Sequence, residues 1–459
     1  MISERERDYT EANITKAVFF LAWPAVVTMM LQMVVGMADI AMAGRLGPTA
    51  LAAVGLGRQL MFLSYAIVGG LATGATALIA QHYGRGEKST AYALARQALV
   101  GGSLLAVFLG ILGVVYAEEF LVLMGAEPEV VEVGGRYIQI VFGGLIAVYN
   151  VFLINAAFRG AGDTKTPMFL LGLINIINIG VNYLLIFGVG PFPKLGVPGA
   201  AIGTVFSRVL GMAIGWGLFF AGKWRIKFSF SDSFWPHLQQ IKRLLQVGVP
   251  AAMERLVRST TQLIFVGIVT HLGTLAVAAN QVALRAESFS YMPGFGMAIA
   301  ATTLVGQNIG AGLPERAEQS GYRAVYISLA FMTGMAVSFF LVPRAFITLF
   351  TNDEEVIQLA IPCLRIVAIS EPALALNMVL AGAMRGAADT RFPMYITAAG
   401  NFLIRLPLAY LLAYPLGLGL VGAWVAMTAD TAVRGILMFF RFKSGKWKEA
   451  ANQVDESRA

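Results

Sequence analysis

The chain has 459 residues, 57% of them hydrophobic and only 13% charged, with a mean hydropathy of +0.71 and a net charge of +8. A soluble domain carries about a quarter charged residues, so this composition excludes a water-soluble globular protein. The basic excess is confined to short stretches between apolar ones, which argues against a nucleic-acid partner.

A helix needs about 20 apolar residues to cross a bilayer. Windows of that kind recur near 15–38, 52–78, 93–117, 134–158, 167–189, 196–221, 241–271, 276–303, 319–342, 356–383, 391–414 and 419–441. They predict an all-α, multi-pass membrane protein with 12 transmembrane helices. The start, MISERERDYTEAN, is mixed-charge and shows no cleavage site after a short apolar core, so no removable signal peptide is expected.

Between spans 2 and 3 lie Arg85 and Lys88, and between spans 6 and 7 lie Lys223, Arg225, Lys227, Lys242 and Arg243. After the last span come Arg441, Lys443, Lys446 and Lys448, whereas the loop between spans 3 and 4 is acidic, with Glu118, Glu119, Glu127, Glu129 and Glu132. This alternation is the positive-inside pattern. It predicts a plasma (inner) membrane protein with both termini in the cytoplasm.

The chain also repeats itself. RGAGDTKTPM begins at Arg159 and RGAADTRFPM at Arg385, 226 residues later. LGPTALAA (46–53) pairs with LGTLAVAA (272–279), and TALIAQHYGRG (76–86) with TTLVGQNIGAG (302–312), at that same offset. Pro24 pairs with Pro250 and Asn175 with Asn401. Six helices per copy is an even number, so both copies enter the membrane from one side, as parallel repeats. The expected organisation is an N-terminal six-helix lobe (1–222), a cytoplasmic linker (223–240), and a C-terminal six-helix lobe with a tail (241–459). In each duplicated loop, Gly permits a tight turn, and Asp163 or Asp389 is read as a cap for the next helix.

These features together resemble the multidrug and toxic compound extrusion (MATE) transporters, of the NorM and DinF types. The resemblance covers essentially the whole chain. It rests on the two six-helix repeats, on MVVGMADIAMAGRLGPTALAAVGL, on the paired Arg-Gly-x-x-Asp-Thr loops, and on the QHYGRG/QNIGAG pair. It implies a V-shaped, two-lobed transporter that exports drugs or toxic metabolites, mostly lipophilic cations, in exchange for H+ or Na+ by alternating access.

Ionisable groups at membrane depth are costly and mark partners or wet cavities. Asp39, in GMADIAM, has no basic residue within five positions, and its repeat partner is Phe265. A buried, unpaired carboxylate favours a bound proton or sodium, and the resemblance places the N-lobe cation site here. Asn175, Asn178 and Asn182 fall on one stripe of span 5, suited to bond either charge state of Asp39. DinF-type members carry an aspartate where this chain has Asn182, so a paired-aspartate relay is not expected. Asn150 and Asn155 on span 4 are further candidates for the same network.

In the second copy, Glu254, Glu287 and Glu371 replace Thr28, Met61 and Leu145. NorM-type members hold a cation with acids on helices 7 and 10, which Glu254 and Glu371 resemble in helix and depth. If the ion is sodium, Asp39, Glu254 and Glu371 are the expected ligands. Glu254 with Arg258, and Asp430 with Arg434, are also spaced as i, i+4 ion pairs. Substrate contacts are expected from Asp39, from the aromatics Tyr65, Tyr149 and Tyr291, and from Arg258 and Arg285. Trp216 and Phe295 are further aromatic candidates for the cleft.

No cofactor is expected beyond the coupling ion. Partners are small molecules and membrane lipids, and a monomer is the expected state. The single Cys363 excludes an intrachain disulfide, and His82, His237 and His271 are too scattered for a metal site. Nothing resembles a nucleophile set or a phosphate-binding Gly-x-x-x-x-Gly-Lys loop, so neither an enzyme nor an ATP-driven pump is expected. The competing reading is a flippase of lipid-linked or anionic amphiphiles on a related two-lobed fold, since Arg255, Arg258, Arg285 and Arg365 all lie at membrane depth.

Overall fold

The computed structural model describes residues 9–222 and 224–451. Lys223, where the predicted linker begins, lies outside them, as do the first and last eight residues. The described chain is helical from end to end. We number its long helical segments α1 (Ile14–Gly44), α2 (Pro48–Gly84), α3 (Lys88–Val115), α4 (Pro128–Gly160), α5 (Lys165–Phe187), α6 (Val197–Phe220), α7 (Leu238–Thr270), α8 (Thr274–Gly310), α9 (Pro314–Leu341), α10 (Glu354–Gly386), α11 (Arg391–Ala413) and α12 (Gly419–Lys443). Each corresponds to one apolar window of the sequence. Two short helices, Ala117–Leu123 and Pro343–Ile347, fill the connections after α3 and α9.

Nine of these segments are long and apolar enough to cross a membrane on their own, and α4 is a tenth once its two halves are joined. Those halves, Pro128–Gly143 and Leu145–Gly160, meet at 49°, a bend that hydropathy does not reveal. The break falls at Gly143–Gly144, where a methyl on Gly144 would run into Val205 of α6. The remaining two, α7 and α8, match α10 and α2 in length but are more polar, because they carry Glu254, Arg255, Arg258, Arg285 and Glu287. In α11, residues Gly400–Arg405 widen into a π-helical turn, a feature absent from its repeat partner α5. Such turns cluster at functional sites.

The helices fall into two compact units. One comprises Val27–Tyr83 and Glu87–Gly248; the other comprises the described residues up to Val26, Gly84–Gly86, and the chain from Val249 onward. The first stretch of α1 is therefore counted with the second unit, and the first stretch of α7 with the first. The second unit has two apolar clusters. Phe265, Phe339, Trp424 and neighbours form one, and Leu21, Phe442, Trp447 and neighbours the other.

The duplicated loops explain themselves at atomic level. Asp163 accepts from the Thr166 amide (2.9 Å) and hydroxyl (2.6 Å), tying down the first turn of α5. Asp389 accepts from the Phe392 amide (3.4 Å) and from Arg441 of α12 (2.9 Å). The residue before each aspartate has positive φ: Gly162 at 82° and Ala388 at 67°. Only glycine adopts that region freely, so the second copy keeps the turn with a strained residue.

Candidate coupling site

In the first unit, the amide stripe of α5 reaches Asp39. Asn182 donates from Nδ2 to Asp39 Oδ1 at 3.0 Å. It also lies 3.4 Å from Asn178 Oδ1, and Asn178 Nδ2 in turn faces Thr204 Oγ1 and Ser207 Oγ of α6, each at 3.4 Å. A polar thread thus runs from α1 across α5 to α6. Asn182 is 1% exposed, and its Oδ1 has no hydrogen-bond partner among the described residues. A buried acceptor left unbonded is costly, so this oxygen is available to a proton donor or a cation beside Asp39. Gly203 makes the approach possible, because any side chain there would collide with Asn182 Oδ1.

Asp39 itself is half-buried. It is less solitary than its sequence neighbourhood implies: Arg58 of α2 and Arg208 of α6 are its electrostatic neighbours. Arg58 also reaches the Gly36 carbonyl at 3.4 Å. Both arginines are far from Asp39 in sequence, and only the helix packing brings them near.

The other first-unit candidates are not joined to this thread. Asn150 donates to Ser103 Oγ (2.9 Å) and the Ile146 carbonyl (3.0 Å) and accepts from Trp216 Nε1 (3.2 Å), which uses both ends of its amide between α3, α4 and α6. Asn155 bonds the Val151 carbonyl of its own helix at 2.7 Å. Asn175 is buried, and its Nδ2 has no hydrogen-bond partner among the described residues; its repeat partner Asn401 is buried likewise. Tyr149 is fully buried, its hydroxyl 2.9 Å from Ser64 Oγ, and therefore belongs to the α2–α4 packing. Tyr65 stacks on Phe152 at 5.3 Å. Trp216, the donor to Asn150, packs against Phe220, Phe228 and Phe234.

The second unit uses different chemistry. Glu254, 2% exposed, is clamped by two guanidiniums: Arg258 at 2.9 Å, and Arg385 at 2.6 Å to Oε1 and 2.7 Å to Oε2. Both oxygens are engaged, so a sodium ion here would have to displace the protein's own cations. Arg385, the decisive partner, opens the second copy of the duplicated loop and lies 131 residues away. Its appearance in both loops is the one sequence signal that marks it. Asp430, with no exposed surface, is held in the same way by Arg434 (2.7 Å) and Arg405 (2.9 Å). Arg405 ends the π-helical turn, and the bare Gly400 lets α11 approach Asp430 and Arg434 of α12.

Glu371 and Glu287 escape this pairing. Glu371 is fully buried; its Oε2 accepts from Ser290 Oγ at 2.5 Å, while Oε1 has no partner. Glu287 is its electrostatic neighbour, and Arg405 is a neighbour of Glu287. A buried, unbonded oxygen is unfavourable, so Oε1 is an acceptor still open to a ligand. Tyr291 lies beside Glu287 and packs edge-on against Phe295. Arg285 is exposed, with no side-chain hydrogen bond or ion pair among the described residues.

The profile of the MatE family matches this chain twice, over residues 24–184 and 250–411, the two stretches beginning 226 residues apart. The chain belongs to the MATE family. The double match falls on the internal repeat and includes Asp39 and Asn182 in one copy, Glu254 and Glu371 in the other. Among MATE relatives, a Thermotoga maritima protein named as a probable multidrug resistance protein NorM is 33% identical over 96% of this chain and 94% of its own length. A Bacillus subtilis transporter, YisQ, is 30% identical over 95% of this chain and 96% of its own. The same fold is seen in a solved transporter from Pyrococcus furiosus, with a TM-score of 0.88, 24% identity, and 98% of both chains covered.

Proposed function

We propose that this protein is a secondary multidrug efflux transporter that exports lipophilic cations in exchange for H+ or Na+, with Asp39 as the ion-exchanging group. The observation that carries this reading is the contact between Asp39 and the neutral amide of Asn182. An amide bonds a carboxylate without fixing its charge, whereas Glu254 and Asp430 are each bonded directly by two arginines. Glu371, with Glu287, is the second-unit candidate for the same exchange. The relative named for multidrug resistance supports export of drugs. The basic loops support a plasma-membrane setting with both termini in the cytoplasm, and the protein acts as a monomer.

The test is dye efflux from vesicles under a pH gradient or a sodium gradient imposed alone. Efflux should follow at least one of them, and indifference to both removes the antiport reading. A second reading has one specific observation in its favour. Arg258 and Arg385 share one acid, Glu254, and Arg405 and Arg434 share another, Asp430. That excess of positive charge suits an anionic or lipid-linked amphiphile, moved by a flippase. Competition between a cationic and an anionic dye of equal size decides between the two.

A further inference from the structure

The segment joining the repeats is built outward. Between the end of α6 at Phe220 and the start of α7 at Leu238, the described residues have no regular structure. Phe228 packs inward on Phe219 at 4.6 Å and near Trp216 at 6.0 Å. Three other apolar side chains turn the opposite way: Phe230 is 89% exposed, Trp235 83% and Leu238 80%. They are three of the four most exposed large apolar side chains among the described residues. Among the described residues, Phe230 has a ring partner in Phe220, stacked at 4.5 Å.

This presentation is held by buried polar contacts. Gln97 of α3, 5% exposed, donates from Nε2 to the Trp235 carbonyl at 2.9 Å and accepts from the His237 amide at 2.8 Å. Arg96 pairs with Asp232 at 2.6 Å. Lys227 and Lys242 are exposed on either side of the aromatic group. The segment joins the end of α6 to the start of α7, and at the ends of membrane helices aromatic rings partition into the headgroup layer and basic side chains meet anionic lipid.

We propose that residues 227–242 form an interfacial anchor that seats Phe230, Trp235 and Leu238 below the headgroups and selects anionic phospholipid through Lys227 and Lys242. The α3 clamp makes it a fixed lipid site instead of a loose tether.

The experiment places the full chain in nanodiscs of phosphatidylcholine with or without phosphatidylglycerol. Phe230→Cys and Trp235→Cys carry a nitroxide in a Cys363→Ala background. Oxygen should reach both labels more readily than a water-soluble nickel chelate does. The preference of bound spin-labelled phosphatidylglycerol over phosphatidylcholine should fall about fivefold for each of Lys227→Gln and Lys242→Gln, with thermal unfolding unchanged. Labels open to the nickel chelate would overturn the anchor. So would shielding that appears only with two chains per disc, since a second copy would then cover the face. An unaltered lipid preference in both lysine variants would overturn the anionic site.

Discussion

The two halves of this chain descend from one plan yet treat their acids in opposite ways. Around Asp39 the direct partner is an amide, from Asn182, and the arginines stand off at a distance. Around Glu254 and Asp430 the direct partners are guanidiniums, two to each carboxylate. Breaking one half of a buried ion pair strands a charge, at a cost of about 3–5 kcal/mol, so each of those acids is tied to its two arginines. A carboxylate held by an amide has no such tie. One scaffold thus holds a carboxylate by an amide in one half and by paired arginines in the other.

That contrast can be broken in four ways. Asp39→Asn should reduce coupled dye efflux to background while the protein still inserts and unfolds within about 1 kcal/mol of the parent. Retained efflux would remove Asp39 from the mechanism. Asp430→Asn should do the reverse in kind, lowering stability by about 3–5 kcal/mol in a thermal scan, because Arg405 and Arg434 lose their shared counter-charge; a shift no larger than that of Asp39→Asn would erase the difference between the halves. Asn182→Leu installs the residue that the second copy carries at this place, Leu408. Efflux should fall about tenfold and lose its dependence on the imposed gradient, equivalent to about 1.4 kcal/mol. The smallest effect is expected of Ala388→Gly, which should stabilise the chain by about 1 kcal/mol at most, because relief of a left-handed alanine is partly offset by the extra freedom of glycine in the unfolded chain. No gain in melting temperature would mean that the loop is not strained.

The sequence made the spans, the repeat and the link between Asp39 and α5 legible, because each is written in local periodicity. Asn182 lies seven residues beyond Asn175, on the stripe that a helix turns toward one neighbour. Other features depend on contacts that no window contains. Arg385 meets Glu254 across 131 residues, and Arg405 meets Asp430 across 25. Asn150 and Asn155 share the amide chemistry of Asn182, but Asn150 satisfies Ser103 and Trp216 and Asn155 satisfies a carbonyl of its own helix. Composition cannot distinguish an amide facing a carboxylate from one facing an indole. The π-helical turn of α11 was equally hidden, since its residues read as ordinary membrane helix.

The 49° break in α4 bears on how the protein is made. Each half has 16 residues, about 24 Å of helix, against a hydrocarbon layer of about 30 Å. Neither half can be threaded into the bilayer as a stable unit by itself. The two halves therefore make one crossing between them, and a charge placed in Leu145–Gly160, uncharged up to Arg159, should hinder that crossing more than one placed in Pro128–Gly143, which already carries Glu129, Glu132 and Arg136.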